Sequence, residues 1–117
     1  MIDEVTDYYF EIGSDAIGTL LVDKHPAVIV DAMGWAAKWD KFEGEKPGLE
    51  ELKTAVGGWI EVIRYCAGKH MVMAEEGKLM GFPKNFPATK LAHDLGIISE
   101  DDVIVGTVLI IDSDLLE

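Results

Sequence analysis

The sequence has little cysteine, little arginine and no long apolar run. Its one cysteine, Cys66, excludes an internal disulfide and a multi-thiolate metal site, and it suits a reducing compartment. The longest apolar run, residues 103–111, has about half the length of a bilayer-spanning helix, which needs roughly 20 residues. The N-terminus is acidic, whereas a signal peptide begins with basic residues. We therefore expect a cytoplasmic protein that makes no contact with a membrane.

Positive charge is also scarce, and the negative charge gathers at the two ends of the chain. The sequence contains 22 acidic and 10 basic residues, a net charge of −12, and residues 1–15 and 97–117 contain no lysine or arginine. Such a surface repels phosphates, which disfavours direct binding of nucleic acid. If the two ends lie side by side they form one acidic face, which either solubilises the protein or docks on a basic protein. The residues assigned to this face are Asp3, Glu4, Asp7, Glu100, Asp101, Asp102, Asp112 and Asp114.

The second half of the chain gives clear signals of secondary structure. Apolar residues at helical spacing predict a short helix between Pro47 and Gly57, followed by a strand over residues 59–66 and a turn over 67–69. We expect residues 70–74 and 79–82 to form a hairpin, and residues 88–95 to form a second helix that ends at a glycine. A final strand over residues 103–111 is almost continuously apolar, which predicts a central position with a layer packed on each face.

The first half is less decisive. Residues 8–12 and 20–22 are typical of strands, whereas residues 27–39 fit either a helix or a strand. The spacing of Val28, Ala32, Trp35 and Trp39 favours a helix there, although Val28-Ile29-Val30 is rich in β-branched residues. The whole chain, residues 1–117, is predicted to form a single small α+β domain. Its sheet is expected to be mixed or antiparallel, with about four to six strands and two or three short helices.

The sequence contains no recognisable catalytic constellation, metal site or cofactor site. Its three histidines are far apart and have no neighbouring cysteine or histidine, so metal-ligand spacing is lacking. Gly57-Gly58 follows a helix, whereas a phosphate-binding loop opens one. The paired carboxylates are expected in solvated positions with ordinary pKa values. A binding function without chemistry is therefore the default interpretation.

Four short segments carry a resemblance to a known family. Residues 49–62 include Gly57-Gly58, residues 74–79 include a Glu-Glu-Gly-Lys turn, residues 83–89 have the pattern Pro-x-Asn-x-x-Ala-Thr, and residues 102–110 open the last strand. In this order they resemble the family known as domain of unknown function 3846, found in phages and mobile elements of bacteria. The resemblance covers roughly residues 47–112 and implies a small α+β domain of phage or mobile-element origin, which would place a phage-encoded protein in the host cytoplasm. Residues 1–46 are then a variable acidic part that contains tryptophans.

Two functions remain open at this point. The first is a non-catalytic protein of a phage or mobile element that acts as an inhibitor or counter-defence factor. Its acidic face would mimic DNA and bind a host protein that itself binds nucleic acid. The alternative is a homo-oligomer that sequesters a small nucleotide-derived ligand, with Asn85 either a turn-maker or a ligand contact. The residues assigned to that ligand site are Arg64, Phe82, Lys84, Asn85 and Phe86.

Overall fold

The computed structural model describes residues 10–11, 25–33 and 35–116. Six strands and two α-helices follow one another in these residues, and a single 3-10 turn ends them. None of the described helices has the length and apolarity needed to cross a membrane. The elements are β1 (Phe10–Glu11), β2 (Ala27–Val30), β3 (Trp35–Lys38), α1 (Leu49–Val56), β4 (Ile60–Cys66), β5 (Lys69–Ala74), α2 (Phe86–Asp94), β6 (Val108–Asp112) and the 3-10 turn (Ser113–Leu115).

The strands form one antiparallel sheet with β6 in its interior. The strand order is β1-β3-β2-β6-β5-β4, and every neighbouring pair is antiparallel. The side chains of Val108 and Ile110 point to one face of the sheet and those of Leu109 and Ile111 to the other, and all four are fully buried. This arrangement confirms the prediction that the last strand is central and covered on both faces.

One helix covers each face of the sheet. On the α2-side face, Ala88, Leu91 and Ala92 pack against Val108 and Ile110. On the α1-side face, Leu52 and Val56 belong to the same apolar cluster as the two residues of β6 that point to that face. The molecule therefore has three layers, and the predicted α+β class with an antiparallel sheet is confirmed.

Local signals explain why α1 begins and ends where predicted. At its start, the Glu51 carboxylate accepts a hydrogen bond of 2.8 Å from the backbone N–H of Gly48, one of the amides left free near a helix start. At its end, Gly57 adopts a φ of +89° and donates its N–H to the Lys53 carbonyl at 2.7 Å. A glycine in this left-handed conformation is a common helix terminator because it has no Cβ to strain.

The prediction of a helix over residues 27–39 is wrong. Residues 27–30 and 35–38 form an antiparallel hairpin in which Ile29 faces Ala37. β2 ends at Val30, and the carboxylate of the next residue, Asp31, accepts a 2.9 Å hydrogen bond from the backbone N–H of Met33 and so stabilises a turn. Because β2 is apolar on both faces, its side chains also satisfy a helical spacing, and the spacing alone does not separate the two structures.

Two further predictions need correction. Residues 79–82 form no strand, because Leu79 lies in a turn and is 85% exposed; the hairpin partner of β5 is β4 instead. The last strand begins at Val108 and not at residue 103, since Gly106 has a φ of +77° that a regular strand does not adopt. The predicted strand over residues 8–12 overlaps β1, and the one over 20–22 lies outside the described residues.

The ring of Phe82 lies against three glycines that are distant in sequence. A Cβ placed on Gly106 would lie 2.7 Å from the ring, and a Cβ on Gly77 or on Gly57 would lie 3.3 Å from it. The ring belongs to the edge of the α1-side cluster, where it is partly buried. These glycines therefore provide the space that lets one aromatic side chain join the end of α1, the turn after β5 and the loop before β6.

Replacing Gly106 by alanine tests this packing. Gly81 has the same φ of +77°, but a Cβ added there would meet nothing within 4 Å, so Gly81→Ala is the matched control for backbone strain. We expect Gly81→Ala to cost about 1 kcal/mol and Gly106→Ala about 3 kcal/mol, because the latter also overpacks the ring. Urea unfolding measures both free energies. Adding Phe82→Leu should recover much of the extra loss, and equal losses for the two glycines would contradict the packing role of Phe82.

Candidate functional site

An open cleft of about 720 Å³ lies on the α2-side face, near the end of β5. Three parts of the chain form its walls: the β4–β5 hairpin, the turn over residues 75–79, and the loop over residues 96–105 between α2 and β6. The hairpin contributes side chains because Glu61 of β4 stands directly opposite Met73 of β5. The cleft is thus built by strand pairing and by two loops that meet at one end of the sheet.

The floor of the cleft is apolar and its rim is acidic. Ile63, Met73, Ile97 and Ile98 are partly buried and pack against the α2-side core. The lining also contains four acidic side chains and one basic one, which are Glu61, Glu75, Glu76, Asp102 and Lys78. Within the described residues, no group of three or more histidine, cysteine or acidic side chains is arranged to hold a metal ion. The cleft therefore suits a ligand that combines apolar and positively charged groups.

A short ion pair ties two walls of the cleft together. The Lys78 ammonium donates to an Asp102 carboxylate oxygen at 2.6 Å, and the backbone N–H of Val103 donates to the same oxygen at 2.8 Å. Both bonds lower the pKa of Asp102 below its ordinary value of 3.8, and the bond from Lys78 has the larger effect. His93 Nε2 lies 3.0 Å from the Asp102 carbonyl oxygen. In the tautomer that carries its proton on Nε2, His93 donates to this oxygen and so connects the loop to α2.

Asp102→Asn should change the pH dependence of stability. A carboxylate with a depressed folded-state pKa contributes stability above about pH 3.8, and the contribution is lost as the pH falls through the lowered pKa. Because the pair is partly exposed, we expect a loss of only about 0.5 kcal/mol at pH 7, which vanishes at acid pH once the Asp102 carboxylate of the wild type is protonated. Chemical unfolding across this pH range measures it, with the exposed neighbour Asp101→Asn as control. A loss that stays constant with pH would rule out the ion pair as its cause.

Asn85 is fully buried, and all the hydrogen bonds of its side chain are made within the protein. Its amide nitrogen donates to the carbonyl oxygens of Val30 at 3.0 Å and Gly106 at 2.7 Å, and its amide oxygen accepts from the N–H of Ala88 at 3.0 Å. It therefore caps the start of α2 and fastens that helix to β2 and to the loop before β6. The structure shows Asn85 as a helix cap, and both donors of its amide group are used within the protein.

Asn85→Ala should be strongly destabilising. It removes the helix cap, worth about 1 kcal/mol, and the hydrogen bonds that two carbonyl oxygens accept from the buried amide, at about 1–3 kcal/mol in all. We expect a loss of about 3 kcal/mol by urea unfolding. Asn85→Asp has the same shape and keeps the capping oxygen but has no amide donor, so it should lose at least as much at pH 7 and less when protonated at low pH. Wild-type stability of Asn85→Asp at pH 7 would contradict the network.

The other residues of the predicted ligand site do not meet around Asn85. Phe82 is held by the three glycines, while Lys84 and Phe86 are exposed on either side of Asn85. Arg64 lies on the outer strand β4 opposite His70, at the end of the sheet away from Gly106. None of the five lines the cleft. The structure therefore does not assemble these residues into one pocket.

The acidic residues assigned to one face are also separated. Asp102 lies in the loop before β6 and Asp112 at the last position of that strand. Each is ion-paired at 2.6 Å, with Lys78 and Lys69 respectively. Glu100 and Asp101 are exposed beside Asp102, whereas Asp114 is exposed beyond Asp112. Asp3, Glu4 and Asp7 lie outside the described residues. The described residues of this set therefore lie in two groups, and the expected face that joins the two chain ends stays a prediction.

Sequence reasoning missed the carboxylates of the cleft rim. The paired carboxylates are predicted to be solvated, and Glu75 and Glu76 are indeed exposed, as is Glu61. The sequence did not reveal that they border one cleft. That proximity depends on the pairing of β4 with β5, whereas the sequence pattern favoured a different partner for β5.

The family comparison covers most of the chain. A family model described as a domain of unknown function (DUF3846) matches residues 23–115. The match takes in β2 and β3 as well as the cleft, so it begins well before the resemblance over residues 47–112. No curated protein and no solved structure matches the chain significantly.

Proposed function

The chain belongs to the family called domain of unknown function 3846, and we propose that it is a non-catalytic binding protein whose acidic cleft docks on a basic segment of a partner protein. The family name carries no activity, so the support for this function comes from the chain itself. The main support for this function is the combination of an apolar floor and an acidic rim in one cleft of about 720 Å³.

The rim carboxylates are available to a partner. Within the described residues, Glu61, Glu75 and Glu76 are exposed and have no ion pair, whereas the one lysine of the cleft is bound to Asp102. Bringing a lysine or arginine of a partner to such a rim adds favourable charge pairing, and it costs little desolvation because the rim stays in contact with water. Apolar side chains of the partner would supply affinity at the floor.

The partner class follows from the same charge. As an accessory protein of a phage or mobile element, the chain would inhibit a host protein that normally binds nucleic acid, because carboxylates on the rim present the charge that phosphates present. Sequestering a nucleotide-derived ligand has less support. Asn85 has no free donor, the single arginine is distant from it, and the cleft is acidic.

Binding of a defined basic peptide tests the proposal. The probe is a fluorescently labelled peptide of alternating lysine and leucine, with a glutamate–leucine peptide of the same length for comparison. We expect the triple variant Glu61→Gln, Glu75→Gln, Glu76→Gln to weaken binding of the lysine peptide about tenfold or more in fluorescence anisotropy, and added salt to weaken it further.

A second triple variant, Asp40→Asn, Glu45→Gln, Asp114→Asn, controls for net charge. It removes three carboxylates that are exposed outside the cleft. Its affinity for the lysine peptide should stay within about threefold of wild type, because distant exposed charges are screened. If both triple variants lose affinity equally, or if the wild-type protein does not bind the lysine peptide, the proposed function is wrong.

A further inference from the structure

We propose that the partner segment binds as an extended strand added to the outer edge of β4, with basic side chains alternating with apolar ones. The inference rests on the proposed function and specifies how the cleft is used. Strand addition supplies main-chain hydrogen bonds for affinity, and alternate side chains supply specificity.

The position of β4 in the sheet allows a further strand to pair with it. At seven residues β4 is the longest described strand, yet it lies at the end of the sheet. In residues 10–11, 25–33 and 35–116, no strand pairs with its outer edge. Long edge strands are usually protected by proline, by charged side chains, above all lysine, or by a bulge. β4 contains no proline or lysine and carries two charged side chains, Glu61 and Arg64. Its one irregularity lies between Arg64 and Cys66, which leaves residues 60–64 regular.

The two faces of β4 differ in chemistry, and this difference sets the pattern of the partner. Glu61 stands opposite Met73 and lines the acidic cleft on the α2-side face. Val62 stands opposite Val72, which packs on the α1-side face, and Val62 is 41% exposed. Because directly opposed residues of paired strands project to the same face, an added strand would place one set of side chains beside Glu61 and the other beside Val62.

Charge and exposure together select the occupant. The set beside Glu61 faces the cleft rim with Glu75 and Glu76, where lysine or arginine is favoured. The set on the other face lies beside Ile60 and Val62, and the exposed Arg64 follows them on that face. At the start of β4, Trp59 is 62% exposed with the Lys53 ammonium 3.7 Å from the ring centroid, and tryptophan is a frequent anchor of interfaces. The partner is therefore a segment in which basic and apolar residues alternate.

Backbone methylation of the peptide tests strand addition directly. In an extended peptide, the N–H groups of the lysines point to one edge and those of the leucines to the other. Two peptides are compared with the parent, one N-methylated at every lysine and one at every leucine. Strand addition predicts that one of the two loses affinity at least tenfold while the other binds within about threefold of the parent. Equal effects of the two methylation patterns would overturn it.

A variant of the protein gives an independent readout. Val62→Lys places a charge on the apolar face at an exposed position, without touching the rim carboxylates. It should weaken the lysine–leucine peptide at least fivefold while leaving the melting temperature within a few degrees of wild type, since the site is exposed at a sheet edge. Amide hydrogen exchange of residues 60–64 should slow when the parent peptide is bound. Unchanged affinity for Val62→Lys together with unchanged exchange would also reject strand addition.

The outcomes separate this inference from the proposed function. If the lysine–leucine peptide binds and depends on Glu61, Glu75 and Glu76, but both methylated peptides bind alike, the cleft binds basic segments without strand pairing. If the parent peptide does not bind at all, the proposed function fails, and strand addition fails with it.

Discussion

The buried side-chain amide of Asn85 is the interaction on which the arrangement of this protein depends. It joins the first turn of α2 to the end of β2 and to the loop before β6. Strand pairing places Val30 beside Val108 but does not by itself place α2. Thr89 extends the network, since its hydroxyl donates to the Asn85 carbonyl at 2.7 Å and accepts from the Ile104 N–H at 2.9 Å. A buried amide without partners is costly, so the three parts are stable only when all of them are in place. The loop wall of the cleft is positioned as a consequence.

The segments that carry the family resemblance meet in space, and their contacts are with one another. Gly57, Gly77 and Gly106 come from three of these segments and surround Phe82, while Asn85 and Thr89 come from the fourth. A glycine is needed where an aromatic ring approaches the backbone closely, and an asparagine is needed where one side chain must both donate and accept. The shared residues therefore explain how the domain closes around its core. They carry no direct information about what the domain binds.

The sequence predicted those elements whose signals are local. Helix α1 has apolar periodicity and a terminal glycine, β4 has β-branched residues after a glycine pair, and β6 is apolar throughout. The misassigned hairpin of β2 and β3 has side chains buried on both faces, so its sequence matches a helical and an extended pattern equally. The cleft was beyond prediction for a different reason. Its rim joins Glu61 to the turn after β5, and that proximity depends on which strand β5 pairs with.

The total charge of −12 and the charge of the cleft act over different distances. At physiological salt, electrostatic interactions between exposed groups decay over about 8 Å, so carboxylates outside the cleft influence chiefly the approach of a basic partner. Asp102 and Asp112 contribute little to this attraction, because the charge of each is already paired with that of a lysine. In the proposed complex the rim carboxylates would contact the bound partner and so govern how long it stays. Net charge should therefore determine the association rate, and the cleft the dissociation rate, which makes kinetic measurement more informative than affinity alone.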